Sequence, residues 1–247
     1  TKNINLFIER PPARNYLEFK KVIRVYEKSK NLIVKYGFNH RYHDSVVIAK
    51  KILDSKKYGK IINVKGIYGK SKIISFTGQW RSKKSIAGGG ILLDQGIHLL
   101  DIIRFFCGNF VEIKSFISNN FWKHNVEDNA YAIMRTKNKI VAMIHSTATQ
   151  WQHQFRLEIT LEKAIIVLSG ILSSSKTYGQ EKIEVQPKNS SNKKNRTLKF
   201  NKDLSWKREV TEYINCLKKR KKIANGNIYD AEEVMKMVDQ IYKSDKI

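Results

Sequence analysis

Hydrophobic and polar residues along this chain follow two different periods, and the change of period divides it. Residues 4–8 (Ile-Asn-Leu-Phe-Ile) are a short apolar run of the kind that forms a buried strand. Glu9-Arg10-Pro11-Pro12 ends it, because two successive prolines remove ladder donors and fix the chain direction. Tyr16, Phe19, Ile23 and Tyr26 then fall on one helical stripe. Residues 32–38 are a second apolar strand, leading into Asn39-His40-Arg41-Tyr42-His43. Strand, helix, strand in that order is the pattern of an α/β unit with parallel pairing. Two strands and one helix are too little for a domain, so the opening reads as the tail of a larger one.

A second helix is expected over residues 45–55, with Val46, Ala49, Ile52 and Leu53 inward. Residues 61–68 form a strand, and a glycine-rich approach over 80–90 opens a helix over 91–106. Beyond Gly108 the period becomes two, as in Val111-Glu112-Ile113-Lys114 and over 131–134, 140–144 and 155–159. Such alternation marks strands with one covered face. Thr136-Lys137-Asn138-Lys139 is the turn between two of them, and the polar, aperiodic residues 188–197 are a loop. Helices over 206–219 and 230–243 close the chain, the last with Asp230 as its N-cap. The expected fold class is α/β at the start and α+β afterwards: a large, mostly antiparallel open sheet with helices on one face.

With 247 residues, 41% of them hydrophobic and 28% charged, the chain can form one large domain or a domain with a remnant. Collagen-like, mucin-like and wholly disordered classes are excluded. No run approaches the ~18 consecutive apolar residues of a membrane span, and residues 1–9 lack the pattern of a secretory signal. Cys107 and Cys216 have no zinc-type or CxxC spacing, which suits a reducing compartment, with the cytoplasm as default. The net charge of +25, from 47 Lys+Arg against 22 Asp+Glu, comes mainly from scattered lysines. Its densest cluster, Lys218-Lys219-Arg220-Lys221-Lys222, sits where a helix should end, and cations there contribute about 0.3–1 kcal/mol each. No nucleic-acid motif accompanies the charge, so neither nucleic acid nor membrane is expected as a partner. Anionic sugar nucleotides would still be drawn to such a surface.

The segment that carries chemistry begins at Gly88-Gly89-Gly90. Asp94, His98 and Asp101 follow at spacings of four and three, which places them on one helical face. Leu92, Leu93, Ile97, Leu99, Leu100 and Ile103 surround that stripe, so its polar groups need partners. An imidazole between two carboxylates suits general acid–base work. Gly96 leaves room for a substrate or backbone, and the three glycines would let a ligand approach the helix start. Spacing alone fits a satisfied core histidine equally well. A metal site would need a further ligand, and none is expected.

Taken together, these residues resemble the Gfo/Idh/MocA oxidoreductase family over essentially the whole chain. Phe7-Ile8-Glu9-Arg10-Pro11 resembles the motif that ends a Rossmann strand, and residues 37–42 the turn into the substrate domain. Residues 88–101, with Trp80-Arg81 ahead, resemble the catalytic helix and form the most specific match. Residues 126–130 with Gln150-Trp151, and Asn225-Gly226 with Asp230-Ala231, also fit. The resemblance implies a Rossmann remnant over residues 1–40 and a substrate-binding, catalytic and oligomerisation domain over 41–247, whose last helices pack back on the remnant. It implies hydride transfer between a CH–OH group of a sugar, polyol or nucleotide-sugar and NAD or NADP. His98 would take the hydroxyl proton and Asp94 would orient the substrate, with Arg10 at the position of a motif lysine. Glu9, Arg10, Pro11, Asn39 and Arg41 would line the cofactor, and Gln150, Trp151 and His153 the sugar pocket. A homo-oligomer through the large sheet is implied as well.

Two departures qualify these expectations. Arg10 cannot shuttle a proton as lysine can, although its fork can hold a carboxylate, phosphate or carboxamide. No G-x-G-x-x-G occurs in the chain, and in the family that loop should precede residue 1. Weak or absent NAD(P) binding, and a truncated chain inactive alone, are therefore expected. The alternative is a catalytically dead binding or assembly module on the same fold.

Overall fold

The structure, a computed structural model, describes residues 4–29, 32–71, 80–173, 176–189 and 195–245. It opens with strand β1 (Leu6–Glu9), helix α1 (Tyr16–Glu27) and strand β2 (Val34–Gly37). The two strands pair in parallel, Leu6 opposite Val34 and Glu9 opposite Gly37. Asn15 caps α1 by accepting from the Glu18 amide at 2.9 Å, and the helix buries Phe19 and Ile23. The outer edge of β2 is partly closed by residues 226–227: Gly226 accepts from the Tyr36 amide at 2.7 Å, and Asn227 bridges to Lys35.

A single turn, residues 39–42, leads into α2 (Asp44–Asp54) and then β3 (Ile61–Gly69). β3 is central in an eight-stranded sheet of order β10-β9-β8-β7-β3-β6-β5-β4, completed by β4 (Phe110–Ser118), β5 (Asn129–Thr136), β6 (Val141–Thr147), β7 (Gln154–Leu161), β8 (Ala164–Ser169), β9 (Glu181–Pro187) and β10 (Arg196–Phe200). All neighbours are antiparallel except β3 and β6, so the mostly antiparallel sheet expected from alternation is present. The loop expected over 188–197 is cut short by β10, which takes Arg196 and Thr197, while 190–194 lie outside the described residues.

The short α3 (Lys84–Ala87) precedes a wide turn over Leu92–Gly96 and then α4 (Ile97–Cys107). Lys84–Cys107 is the one helical stretch among the described residues apolar and long enough to cross a membrane, and 78% of its apolar window is buried in this fold. α4 packs on β3 and β6. Gly66 in β3 permits this, since a Cβ there would lie 2.8 Å from Leu99 Cδ1. Leu99, Leu100, Ile102 and Ile103 are fully buried, worth about 1.5–3 kcal/mol each before entropy is counted. α5 (Ser205–Lys219) and α6 (Ile228–Ser244) close the chain. The N-cap of α6 is Asn227, which accepts from the Tyr229 and Asp230 amides, and not Asp230 as its acidic first turn suggests. Asp230 instead accepts from Arg41 at 3.0 Å and Arg104 at 2.7 Å.

Candidate active site

Three elements converge on one carboxylate. Arg10, at the end of β1, donates through Nη1 to the Asp94 carbonyl at 2.7 Å and to Oδ1 at 3.1 Å. Lys70, just past β3, donates to Oδ2 at 3.1 Å. The Arg81 guanidinium lies 4.0 Å from Oδ1 and over the Trp80 ring. Burial pushes the Asp94 carboxyl up, but Lys70 and Arg10 outweigh it and hold it below its ordinary value. Burial also pulls the Lys70 ammonium down, against the attraction of Asp94.

One helical step on, His98 is 2% exposed and stacks on His40, ring centroids 3.8 Å apart and planes 13° from parallel. Its Nδ1 is sealed without a partner among the described residues. Burial, reinforced by the second imidazole and Arg10, holds His98 well below the ordinary value. His40 is lowered likewise, first by burial and then by His43. His40 Nε2 meets the Tyr68 hydroxyl at 3.1 Å, and His43 Nδ1 meets Glu181 at 2.9 Å. The His98 and His40 rings are therefore neutral at neutral pH.

The arrangement differs from a plain helical stripe. The wide turn over Leu92–Gly96 inserts an extra residue per turn, so Asp94 faces the cations of β1 and β3 and makes no hydrogen bond to His98. Asp101 does not flank the imidazole either. It takes a two-pronged ion pair from Arg41, at 2.8 and 2.6 Å. The glycines expected to admit a ligand are occupied by protein. A Cβ at Gly90 would lie 2.2 Å from the Glu127 carbonyl, one at Gly88 2.2 Å from the Arg14 carbonyl, and one at Gly96 2.9 Å from Ser146 Oγ. Glu127 fills the helix start itself, accepting from the Gly90 and Leu92 amides at 2.8 and 3.0 Å.

The other expected site residues fall in distinct places. Glu9 is exposed and lies over Gly37, where a Cβ would be 2.8 Å from its Oε2; Pro11 follows a cis bond beside it. Asn39 is buried, donating to Ser205 Oγ at 3.2 Å with its Oδ1 on His40. Arg41 is spent on Asp101 and Asp230. Gln150 is tied through its amide to the Lys70 carbonyl at 2.9 Å. His153 lies edge-on to Tyr178, which lies edge-on to Tyr68, and it senses the Lys70 charge. Trp151 is 62% exposed and packs on Phe121 instead. Reading the sequence missed Lys70 and His40. His40 stood between two chosen residues, and Lys70 carries no pattern distinguishing it from the many surface lysines.

The site thus sits where the buried helix behind the open sheet meets the strand–proline corner, with Asp94 joined to Arg10. Residues 46–167 match the model of the GFO/IDH/MocA C-terminal domain. Levoglucosan dehydrogenase of Pseudarthrobacter phenanthrenivorans is 32% identical over 116 residues, 46% of this chain and 30% of that protein. The match thus spans about a third of the length of the curated relatives. Among solved structures, levoglucosan dehydrogenase in complex with NADH and levoglucosan superposes with a TM-score of 0.84 at 20% identity, over 98% of this chain and 72% of that one. Aldose-aldose oxidoreductase from Caulobacter crescentus, complexed with glycerol, gives 0.80 at 18% identity, over 98% and 70%.

Proposed function

We propose that the Arg10–Asp94–His98 corner is the substrate end of an NAD(P)-dependent oxidoreductase site acting on a CH–OH group of a sugar, polyol or nucleotide-sugar. The observation that carries this reading is the meeting of Arg10 and Lys70 on Asp94, one helical step from a buried neutral imidazole. The substrate hydroxyl gives its proton to His98 Nε2, because Nδ1 is sealed. A neutral imidazole is the form able to accept it. Asp94, kept ionised by its cations, orients the substrate hydroxyls, and Gln150 and His153 bound the pocket from the sheet side. A bound NAD or NADP supplies the hydride acceptor. Of the residues assigned to it, Asn39 and Arg41 have their polar groups engaged internally, so contact falls to Glu9-Arg10-Pro11. No glycine loop for the pyrophosphate occurs in these 247 residues, which favours weak cofactor binding by this chain. The reading divides the chain near residue 40, with the cofactor side before it and the substrate side after, and pairs subunits through the open face of the large sheet.

The second reading, a binding or assembly module, is favoured by Arg10, which cannot release a proton. Fluorescence titration with NADH and NADPH, with NAD(P)⁺ reduction over a sugar panel, separates the two. The enzyme reading expects reduction with at least one sugar, and His98→Asn to lower kcat by about 10²–10⁴ while sugar binding stays within severalfold. Absence of both nucleotide binding and reduction favours the module.

A further inference from the structure

We infer that the ligand of this site is an acidic sugar, one bearing a carboxylate or phosphate that Lys70 and Arg10 bind beside Asp94. The inference rests on the oxidoreductase reading for the reaction, but its argument is one of charge. Arg10 and Lys70 both pair with Asp94, and the Arg81 guanidinium lies 4.0 Å from it. The imidazoles beyond it are neutral and offer no compensation. Glu9, the acid next to Arg10, lies over Gly37 and feels the Arg10 charge, so two carboxylates stand against three cations. The site thus carries more positive than negative charge with part of it withdrawn from water, since the Lys70 side chain is only 8% exposed.

Isolating an ammonium is unfavourable unless opposite charge and hydrogen bonds compensate it. Lys70 has three donors and Arg10 five, and Asp94 takes one from Lys70 and one Nη1 group from Arg10. A neutral sugar would add hydroxyl contacts and leave the excess charge standing. A carboxylate or phosphate would cancel it with charge-assisted hydrogen bonds, which are about twice as strong as neutral ones, and the arginine fork suits either anion. Lys70 joins the sheet side, with Gln150 and His153, to the Arg10 corner through Asp94, so its charge borders the pocket that the proposed function gives to substrate. The net charge of +25 adds a long-range attraction for such anions.

Calorimetric titration of the chain with D-glucuronate, D-glucose 6-phosphate and D-glucose, at low and high salt, tests this. One or both acidic sugars should bind at least about 10-fold tighter than glucose, with the advantage shrinking in salt; which one leads tells carboxylate from phosphate. Lys70→Met should remove most of the advantage and Lys70→Arg should restore part of it. Arg10→Gln is a second test should Lys70→Met melt prematurely. Equal affinity for glucose, no sugar binding, an advantage that survives both variants, or displacement of glucuronate by NADH would each overturn the inference. Tight glucuronate binding without NAD(P)⁺ reduction would leave it standing and remove the dehydrogenase reading. Equal reduction with glucose and glucuronate would do the reverse.

Discussion

His98 and His40 share one buried stack, and their burial has a consequence for stability. Both are held below the ordinary imidazole value in the folded protein. The unfolded chain therefore binds protons first as pH falls below about 6.5. Their contribution is complete above that pH and is lost on acidification. Glu209 acts in the opposite direction. It is fully buried on α5, and burial, opposed by Lys35, pushes it up to about 8. A raised carboxyl contributes fully at acid pH, below the ordinary carboxylate range, and loses its contribution as pH climbs through about 8. Glu209 therefore costs stability progressively from the ordinary carboxylate range up to about pH 8 and adds no further slope above it. Glu209→Gln should remove that fall, raising Tm at and above pH 8 by about 2–4 °C for each kcal/mol recovered. An unchanged fall up to pH 8 in that variant would show that Glu209 is not the group.

Among the elements, the helix over 91–106 shows how far pattern reaches. Its apolar periodicity located it and marked it as buried, because dense aliphatic residues can only be covered. Its polar stripe was misassigned at both ends. The wide turn rephased Asp94 toward Arg10 and Lys70, and Arg41 claimed Asp101 across a sequence separation of 60 residues. Helical spacing states which residues share a face and is silent on what another element brings to it. The Arg41–Asp101 pair also links the turn after β2 to α4, and Asp230 draws in α6. Its loss is expected to be costly: Asp101→Ala leaves a buried guanidinium short of charge and should cost about 3–5 kcal/mol. A urea midpoint close to that of the unaltered protein would refute this structural part for the pair.

Over the molecule, one face of the eight-stranded sheet is covered by helices and the other is open. Phe116, Tyr131, Ile133 and Met143 lie on the open face, with Phe116 opposite Tyr131 and Ile133 opposite Met143 in register. Tyr131 stacks on His145 at 3.9 Å. An apolar patch built across several strands is unusual for a monomer, which is the basis for pairing subunits there. Light scattering should find the protein as a dimer or larger, and Phe116→Glu with Ile133→Glu should convert it to monomer with its circular dichroism retained. A monomeric unaltered protein would end that assignment.

What the order of residues settled is local and statistical: the α/β opening, the alternating strands after Gly108, the buried helix, and motifs specific enough to point to a family. These follow because burial imposes a period of 2 or 3.6 on any strand or helix with a covered face. The partners of each buried polar group were settled by the folded chain alone. Lys70 rather than a second acid meets Asp94, His40 rather than Asp101 meets His98, and protein rather than ligand fills the glycine gaps. Such pairings join residues far apart in the chain, and a hydrogen bond or ion pair depends on ångström distances that no spacing along one element encodes.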